Sequence, residues 1–430
     1  MKHIIISLSL FLASGMLLQA GAQEKEYYKM NPEVVRLLEE DHTRIGNNTN
    51  SYEYRPAAES PAPKGYKPVY VSHYGRHGSR SNWGSKNYDA LIAQLTEAKE
   101  AGILTADGEV LLKGAEEVLA HYDGMDGRLT PLGVREHAQI AGRLCERVPA
   151  VFKGKRTVRC IASTVQRSII SMCGFTNELA RRNPKLTITM DCGAKFQEYI
   201  NAKGNDIGVD RDILDRMVEE RNSREEDTMY VLDMLFTDPV RGHEIVGDVH
   251  TLYNNIFATA QVTDDFEMEE DLFRFMPISA SYKRWSYYNH LMYYHNANSA
   301  EHGRRHVPCA ESLANDIITK ADEALERGDI AADLRFGHDY PILSLVSYLG
   351  IEGVGDVLSY DEVDYKWYCF WNVCMGSNLQ IIFYRNKAGE TLVKFLYQER
   401  ETKLRKLEPD VAPCYYKWDN VKANIKGYLR

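Results

Sequence analysis

The sequence predicts an α/β protein, a doubly wound and mostly parallel sheet core carrying a large helical insertion. Three observations carry that expectation. Short β-rich runs at 69–71, 158–162 and 331–336 each lead into a helical pattern, and strands alternating with helices imply a parallel sheet, because parallel neighbours need a crossover. The stretch 194–308 interrupts this alternation with charged runs such as 211–224, tyrosine clusters and long helical patterns without clear strands. The chain of 430 residues also exceeds what one hydrophobic core usually serves, so two lobes or one domain carrying a large insertion are expected.

Composition narrows the function classes. With 44% hydrophobic and 26% charged residues the chain is an ordinary globular sequence, not a disordered or collagen-like one. The 52 Lys and Arg against 61 Asp and Glu leave a formal charge of -9. That balance argues against nucleic acid as the partner, since a phosphate-backbone binder displays a net basic surface. An anionic ligand must therefore meet a local basic pocket.

Taken in order, the elements begin with Lys2 and His3, an apolar run over 4–18, and Ala20-Gly21-Ala22 before the polar Gln23-Glu24-Lys25. This pattern reads as a secretory signal peptide over 1–22 that delivers a periplasmic or secreted protein with no membrane insertion after cleavage. Residues 23–65 read as an irregular leader, because Asn47-Asn48-Thr49-Asn50-Ser51 and Pro56, Pro61 and Pro63 break regular structure. A strand over 69–71 ends near His73. Helices are expected over 86–100, 108–121 and 131–149, the last opened by Thr130 as cap and Pro131 at the first helical position.

After the strand 158–162, Val165, Ile169, Met172, Cys173 and Leu179 recur at helical spacing. The strand 331–336 precedes a helix over 341–349, and 379–384 with 392–397 form a hairpin around Asn386-Lys387-Ala388-Gly389. The expected domains are thus 66–193 plus 309–430 as the α/β core, with 194–308 as a helical cap. Eight cysteines (145, 160, 173, 192, 309, 369, 374 and 414) make disulfides feasible in an oxidising compartment. Cys160 and Cys173 sit among apolar neighbours, where a free thiol acts as a small hydrophobe.

The chemistry concentrates at strand ends. Arg76-His77-Gly78-Ser79-Arg80 follows the first strand directly. Arginines hold phosphate through paired donors, a histidine between them is kept neutral and nucleophilic, and a glycine lets backbone approach a ligand. Arg167 falls in the first turn of the helix after the second strand, where the helix N-terminus favours an anion. Gly337-His338-Asp339 stands at a third strand-to-helix junction. In a parallel sheet the carboxyl ends of the strands converge on one crevice, which would gather three arginines, two histidines and a carboxylate.

These motifs resemble the histidine acid phosphatases of the histidine phosphatase superfamily, with Leu129-Thr130-Pro131-Leu132-Gly133 and the segment from Ala162-Ser163 to Arg167 as further matches in the same order. The resemblance implies a phosphoglycerate mutase-like fold with a helical insertion, no metal or other cofactor, and a small phosphate ester as partner. It casts His77 as the nucleophile that accepts the phosphoryl group, and Arg76, Arg80, Arg167 and His338 as the clamp on its oxygens. Asp339 becomes the acid that protonates the leaving alcohol. No His-Glu-x-x-His cluster is present.

Substrate is less constrained. Phytase-type members usually follow the signature with Ala-Pro, whereas Ser81-Asn82-Trp83 stands here, and multiple inositol polyphosphate phosphatases usually carry His-Ala-Glu where this chain has His338-Asp339-Tyr340. The His-Asp form is nearer bacterial phytases and glucose-1-phosphatases, so inositol phosphates are favoured, with glucose-1-phosphate or broad acid phosphatase activity as alternatives. A silent binder of phosphorylated solutes would need the arginines but not Asp339, and a mutase would not need a signal peptide. Lys86 and Arg304-Arg305 are candidate contacts to further phosphates. His73 reads as a satisfied strand-end histidine, and the aromatic run from Trp285 to Tyr294 as core.

Overall fold

The structure is a computed structural model that describes residues 30–203, 228–301 and 305–427. The expected signal segment 1–22, the charged run 211–224 and Arg304 lie outside the described residues. Among the described residues no helix is long and apolar enough to cross a membrane.

One mixed sheet of eight strands forms the core, in the order β3-β2-β4-β1-β5-β6-β7 with β8 beside β6. Its parallel part comprises β1 (Lys67–Arg76), β2 (Thr157–Ala162), β3 (Thr187–Asp191) and β4 (Ile330–Gly337). The expected hairpin is present as β5 (Asn378–Arg385) and β6 (Thr391–Tyr397), and β5 pairs antiparallel with β1. The short β7 (Arg400–Thr402) and β8 (Tyr416–Lys417) extend that antiparallel half. Every residue of β4 is buried, as a central strand covered on both faces requires.

Side chains alternate across the sheet. Val71, Val158 and Ile382 pack under α4 (Pro131–Arg147) and α5 (Gln166–Arg182), whereas Tyr70, Tyr74, Ile381 and Phe383 pack under α10 (Glu311–Arg327) and α11 (Asp339–Leu349). Thr130 caps α4 as its sequence suggests, accepting from the Gly133 amide, with Pro131 in the first turn.

The second lobe departs from the expected division. Helices α2 (Lys86–Glu100) and α3 (Ala106–Tyr122), expected with the sheet domain, bury Tyr88, Leu91, Leu111 and Val118 in one helical core with α6 (Tyr230–Leu235), α7 (Pro239–Val246), α8 (Val249–Ala260) and the start of α9 (Ile278–Asn296). The reason is amphipathicity: each of α2 and α3 has one apolar face, and the sheet's faces are already filled.

The leader also differs from the irregular chain expected. Residues Pro32–Glu40 form α1, opened by the Asn31 cap and Pro32, and bury Val34, Leu37 and Leu38 in the same helical core. A 3-10 helix, His42–Thr49, follows and is broken at Asn47 (φ 59°). The signal is local and present, an Asn31-Pro32 start followed by Val34, Leu37 and Leu38 on one face, but the breakers at 47–51 and 56–63 dominate the reading of the segment as a whole.

The aromatic run behaves as core, with Trp285 and Tyr293 fully buried. Cys145, Cys160, Cys173, Cys192, Cys369, Cys374 and Cys414 are free thiols.

Candidate active site

Register alone brings three junctions together. β4 lies between β2 and β1, with Ala162 beside Phe336 and Arg76 beside Gly337. The backbone continues the alignment past the strand ends, because the His77 amide donates to the Gly337 carbonyl at 3.0 Å and the Ser163 amide to the Phe336 carbonyl at 2.9 Å. His77, Arg167 and His338 therefore emerge side by side at the carboxyl edge of adjacent parallel strands, as the topology rule for such sheets requires.

The loop 77–80 is held close to the start of α4. A β-carbon on Gly78 would stand 2.6 Å from the Gly133 carbonyl oxygen and 2.6 Å from Glu136 Oε2, so only glycine fits. Glu136 accepts from the amide and the hydroxyl of Ser79, which fixes the turn.

His77 is 2% exposed and its Nδ1 lies 2.9 Å from the Gly78 carbonyl oxygen. A carbonyl only accepts, so Nδ1 carries the hydrogen and Nε2 keeps its lone pair. Burial, then Arg76, Arg167, His338 and Arg80, push the His77 pKa well below the ordinary 6.5. The ring stays neutral at neutral pH, and a neutral imidazole is the nucleophilic form.

Three guanidiniums surround it. Arg76 donates from Nη1 to the carbonyls of Asn48 and Val373, and its Nη2 lies 3.2 Å from Asp339 Oδ2. Arg80 donates to the Ser81 carbonyl at 2.8 Å. Arg167 Nη2 is 3.4 Å from His338 Nδ1. In each of the three the buried Nε meets no protein acceptor. Burial and mutual repulsion lower the pKa of Arg80, and burial with Arg80 alongside pulls that of Arg167 down to about 10. Like charges crowded together with unmet donors form a site whose strain an anion relieves.

His338 stands at the cap position of α11, with its Nε2 2.9 Å from Ser163 Oγ and its ring edge-on to His77 at 5.5 Å between centroids. Burial and the neighbouring Arg167 lower its pKa. Asp339 opens α11, where its Oδ1 accepts from the Tyr340 amide and its Oδ2 from Asn48 Nδ2, both at 2.9 Å. Burial opposes the Asp339 charge, but Arg76 and that amide outweigh it and hold the carboxyl below its usual 3.8.

All six clamp and chemistry residues named from sequence thus meet at one place. Lys86 does not join them. It lines an adjoining cavity of about 590 Å³ together with Asn82, Asn87, Asn254, Gln261 and Arg284. Arg284 is braced there by Asn254 Oδ1 at 2.5 Å and by the Phe257 ring 4.0 Å below its guanidinium. Arg305 is solvent-exposed. Among the described residues no group of three or more His, Cys, Asp and Glu side chains is placed to hold a metal ion.

Sequence reasoning missed Trp83, whose ring stands 4.4 Å from the Arg167 guanidinium and 4.9 Å from that of Arg80 while remaining 58% exposed. A tryptophan three residues past Arg80 was the available signal, since cation–π contact selects that side chain. It also missed Asn48, which reads locally as a turn residue, and Arg284, which nothing in its helix distinguishes from a solvated charge.

Known structures share this architecture. A multiple inositol polyphosphate phosphatase from Bifidobacterium longum, in complex with inositol hexasulfate, aligns with a TM-score of 0.71 at 16% identity, covering 89% of this chain and 97% of that one. Its complex with phosphate aligns with a TM-score of 0.71 at 17% identity over the same shares. The phytase from D. castellii gives 0.65 at 14% identity, covering 95% of this chain and 90% of that chain. At these identities the likeness is one of fold. No family model and no curated protein matches the chain.

Proposed function

We propose that this chain is a histidine phosphatase, a phosphomonoesterase that works through a covalent phosphohistidine on inositol phosphates or other small phosphate esters. The observation that carries the reading is the neutral His77, its Nε2 unblocked, ringed by Arg76, Arg80 and Arg167 with donors that no protein group accepts. Structures of similar fold whose names specify inositol polyphosphate or phytate chemistry support the substrate class.

In the first step His77 Nε2 attacks phosphorus and an N–P bond forms as the P–O bond to the leaving alcohol breaks. The arginines and His338 stabilise charge on the equatorial oxygens. A proton passes from Asp339 to the departing oxygen. In the second step water attacks phosphorus, Asp339 takes its proton, the N–P bond breaks and phosphate leaves. In the empty site Asp339 is ionised beside Arg76. A bound phosphoryl monoanion shares Arg76, offsets the positive field that keeps the proton off and itself brings the proton that passes to the carboxyl, so Asp339 becomes an acid only when substrate is present.

The adjoining cavity suits the rest of such a substrate, because side-chain amides match ring hydroxyls while Lys86 and Arg284 match additional phosphates. The apolar run over 4–18 supports export, and hence a periplasmic or secreted location.

The test is phosphate release from inositol hexakisphosphate, glucose-1-phosphate and an aryl phosphate, with rapid quenching of labelled enzyme. Label on wild-type protein that survives alkali, is lost in acid and is absent from His77→Ala supports the reading. Acid-stable label would overturn the phosphohistidine, and binding of esters without turnover would favour a solute-binding protein.

A further inference from the structure

Asn48 belongs to the leader, 28 positions before the signature, yet it touches both charged partners of the site. Its backbone carbonyl accepts from Arg76 Nη1, and its side-chain Nδ2 donates to Asp339 Oδ2 at 2.9 Å. The segment that bears it is anchored at several points. Asn31, capping α1, donates to the Asp364 carbonyl at 2.9 Å, Arg44 packs over the Trp371 ring at 5.4 Å, and the Met375 amide donates to the Asn50 carbonyl at 2.9 Å. Asn47, at φ 59°, breaks the 3-10 helix immediately before Asn48 and is buried.

The hydrogen bonds to Asp339 divide its two oxygens unequally. Oδ1 receives one donor, the Tyr340 amide, while Oδ2 receives Asn48 and faces Arg76. When a substrate phosphoryl group engages Arg76, Asn48 becomes the fixed side-chain donor on Oδ2, and the carboxyl keeps its orientation through the proton transfer. We propose that Asn48 is a positioning residue for the reaction, its amide holding the Asp339 carboxyl toward the leaving oxygen while its carbonyl holds Arg76. This rests on the reading of Asp339 as the proton donor.

Several other groups face Asp339: Arg76, Arg80, Arg167 and His338 from the three junctions, Tyr74 from β1 and Cys369 from the turn 369–372. None of these side chains besides Arg76 stands as a hydrogen-bond or ion-pair partner of the carboxylate. Asn48 is therefore the neutral side-chain donor of the set, and an isosteric exchange to aspartate puts a negatively charged acceptor in its place without changing its shape.

Asn48→Ala should slow steady-state turnover of an alkyl phosphate by roughly 10–100-fold, part of the 10²–10⁴ that a general acid supplies. Burst phosphorylation by p-nitrophenyl phosphate and inhibition by inorganic phosphate should change by no more than about threefold, since neither needs the proton. Asn48→Asp should move the descending limb of the alkyl-phosphate kcat profile, which reports the enzyme–substrate complex and not the free substrate, to higher pH, because a second carboxylate disfavours ionisation of the first. In a cycle with Asp339→Asn, Asn48→Ala should add little further loss.

Equal losses for good and poor leaving groups, an unmoved limb in Asn48→Asp, or fully additive losses in the cycle would each overturn the proposal. A wild-type enzyme that forms no phosphoenzyme would instead remove the parent reading, and this one with it.

Discussion

Glu136 takes both the backbone amide and the hydroxyl of Ser79 on its carboxylate, each at 2.8 Å, and accepts the Tyr52 amide at the same distance. Burial pushes the Glu136 pKa up, and the three donors partly offset that cost. Glu136→Gln replaces an accepting oxygen with an amide that must face a donor. Stability should fall by about 1–3 kcal/mol, and turnover should fall with it as the loop 77–80 loosens. Ser79→Ala, which keeps the amide contact, should cost less. Denaturant titration with parallel kinetics checks this, and a Glu136→Gln protein as stable as wild type would contradict it.

Asp339→Asn removes the proton but keeps the shape. Turnover of alkyl or inositol phosphates should drop by about 10²–10⁴-fold, while phosphoenzyme formation from p-nitrophenyl phosphate changes far less, since that phenolate leaves without help. Phosphate binding should hold or tighten on loss of a negative neighbour. Pre-steady-state measurement with both substrates decides the matter, and equal losses would take the acid role from Asp339.

The pH dependence follows from where the reactive proton resides. In the proposed reaction, because Asp339 sits below 3.8 in the empty site, the proton enters on the substrate monoanion and is then transferred to the carboxyl. For alkyl phosphates kcat/KM should therefore decline above about pH 6, the second ionisation of a phosphate monoester. A profile flat to pH 8 would be incompatible with this route.

Two buried histidines set an acid limit on the fold. Burial, with His137 beside it, takes the pKa of His73 down to about 3, and burial takes that of His137 down to about 4, from 6.5 in the unfolded chain. Their neutral forms contribute stability that is fully present above pH 6.5 and lost as pH falls toward the folded values, at about 1.4 kcal/mol per pH unit for each group. His73→Phe should flatten the decline between pH 6.5 and 4 by about one proton's slope. Urea titrations across that window test it, and an unchanged slope would show that other groups carry the dependence.

Positive charge at the site comes from arginines, so exhaustive treatment with EDTA should leave activity intact. Loss of activity restored by a divalent cation would rule that out.

The parts of this site written contiguously, Arg76 to Arg80 and His338-Asp339, were legible in the sequence because each occupies one strand-to-helix junction and needs no knowledge of the rest. The α/β core was legible for the same reason, since β1, β2 and β4 each carry an apolar run that ends at a polar turn. Asn48 and Glu136 were not, because each acts through a contact tens to hundreds of positions distant, to Asp339 and Ser79 respectively, and an amide or a helix carboxylate carries no local mark of such a partner. The helical lobe was only partly legible. Its insertion announces itself by composition, but the recruitment of α1, α2 and α3 is decided by which apolar faces remain uncovered.

The placement of β4 between β1 and β2 also dictates a timetable. As the chain emerges from its amino end, β1 and β2 exist as edges with no common neighbour, and they stay so until residues 330–337 arrive to pair with both. His77 and Arg167 are consequently strangers through three quarters of synthesis. Long-range parallel pairing of this kind is slow and leaves unpaired strand edges open to wrong partners. A chain cut short before Ile330 would keep the signature and still have no site at all, and a nascent chain is at greatest risk of aggregation in the interval before that one strand is made.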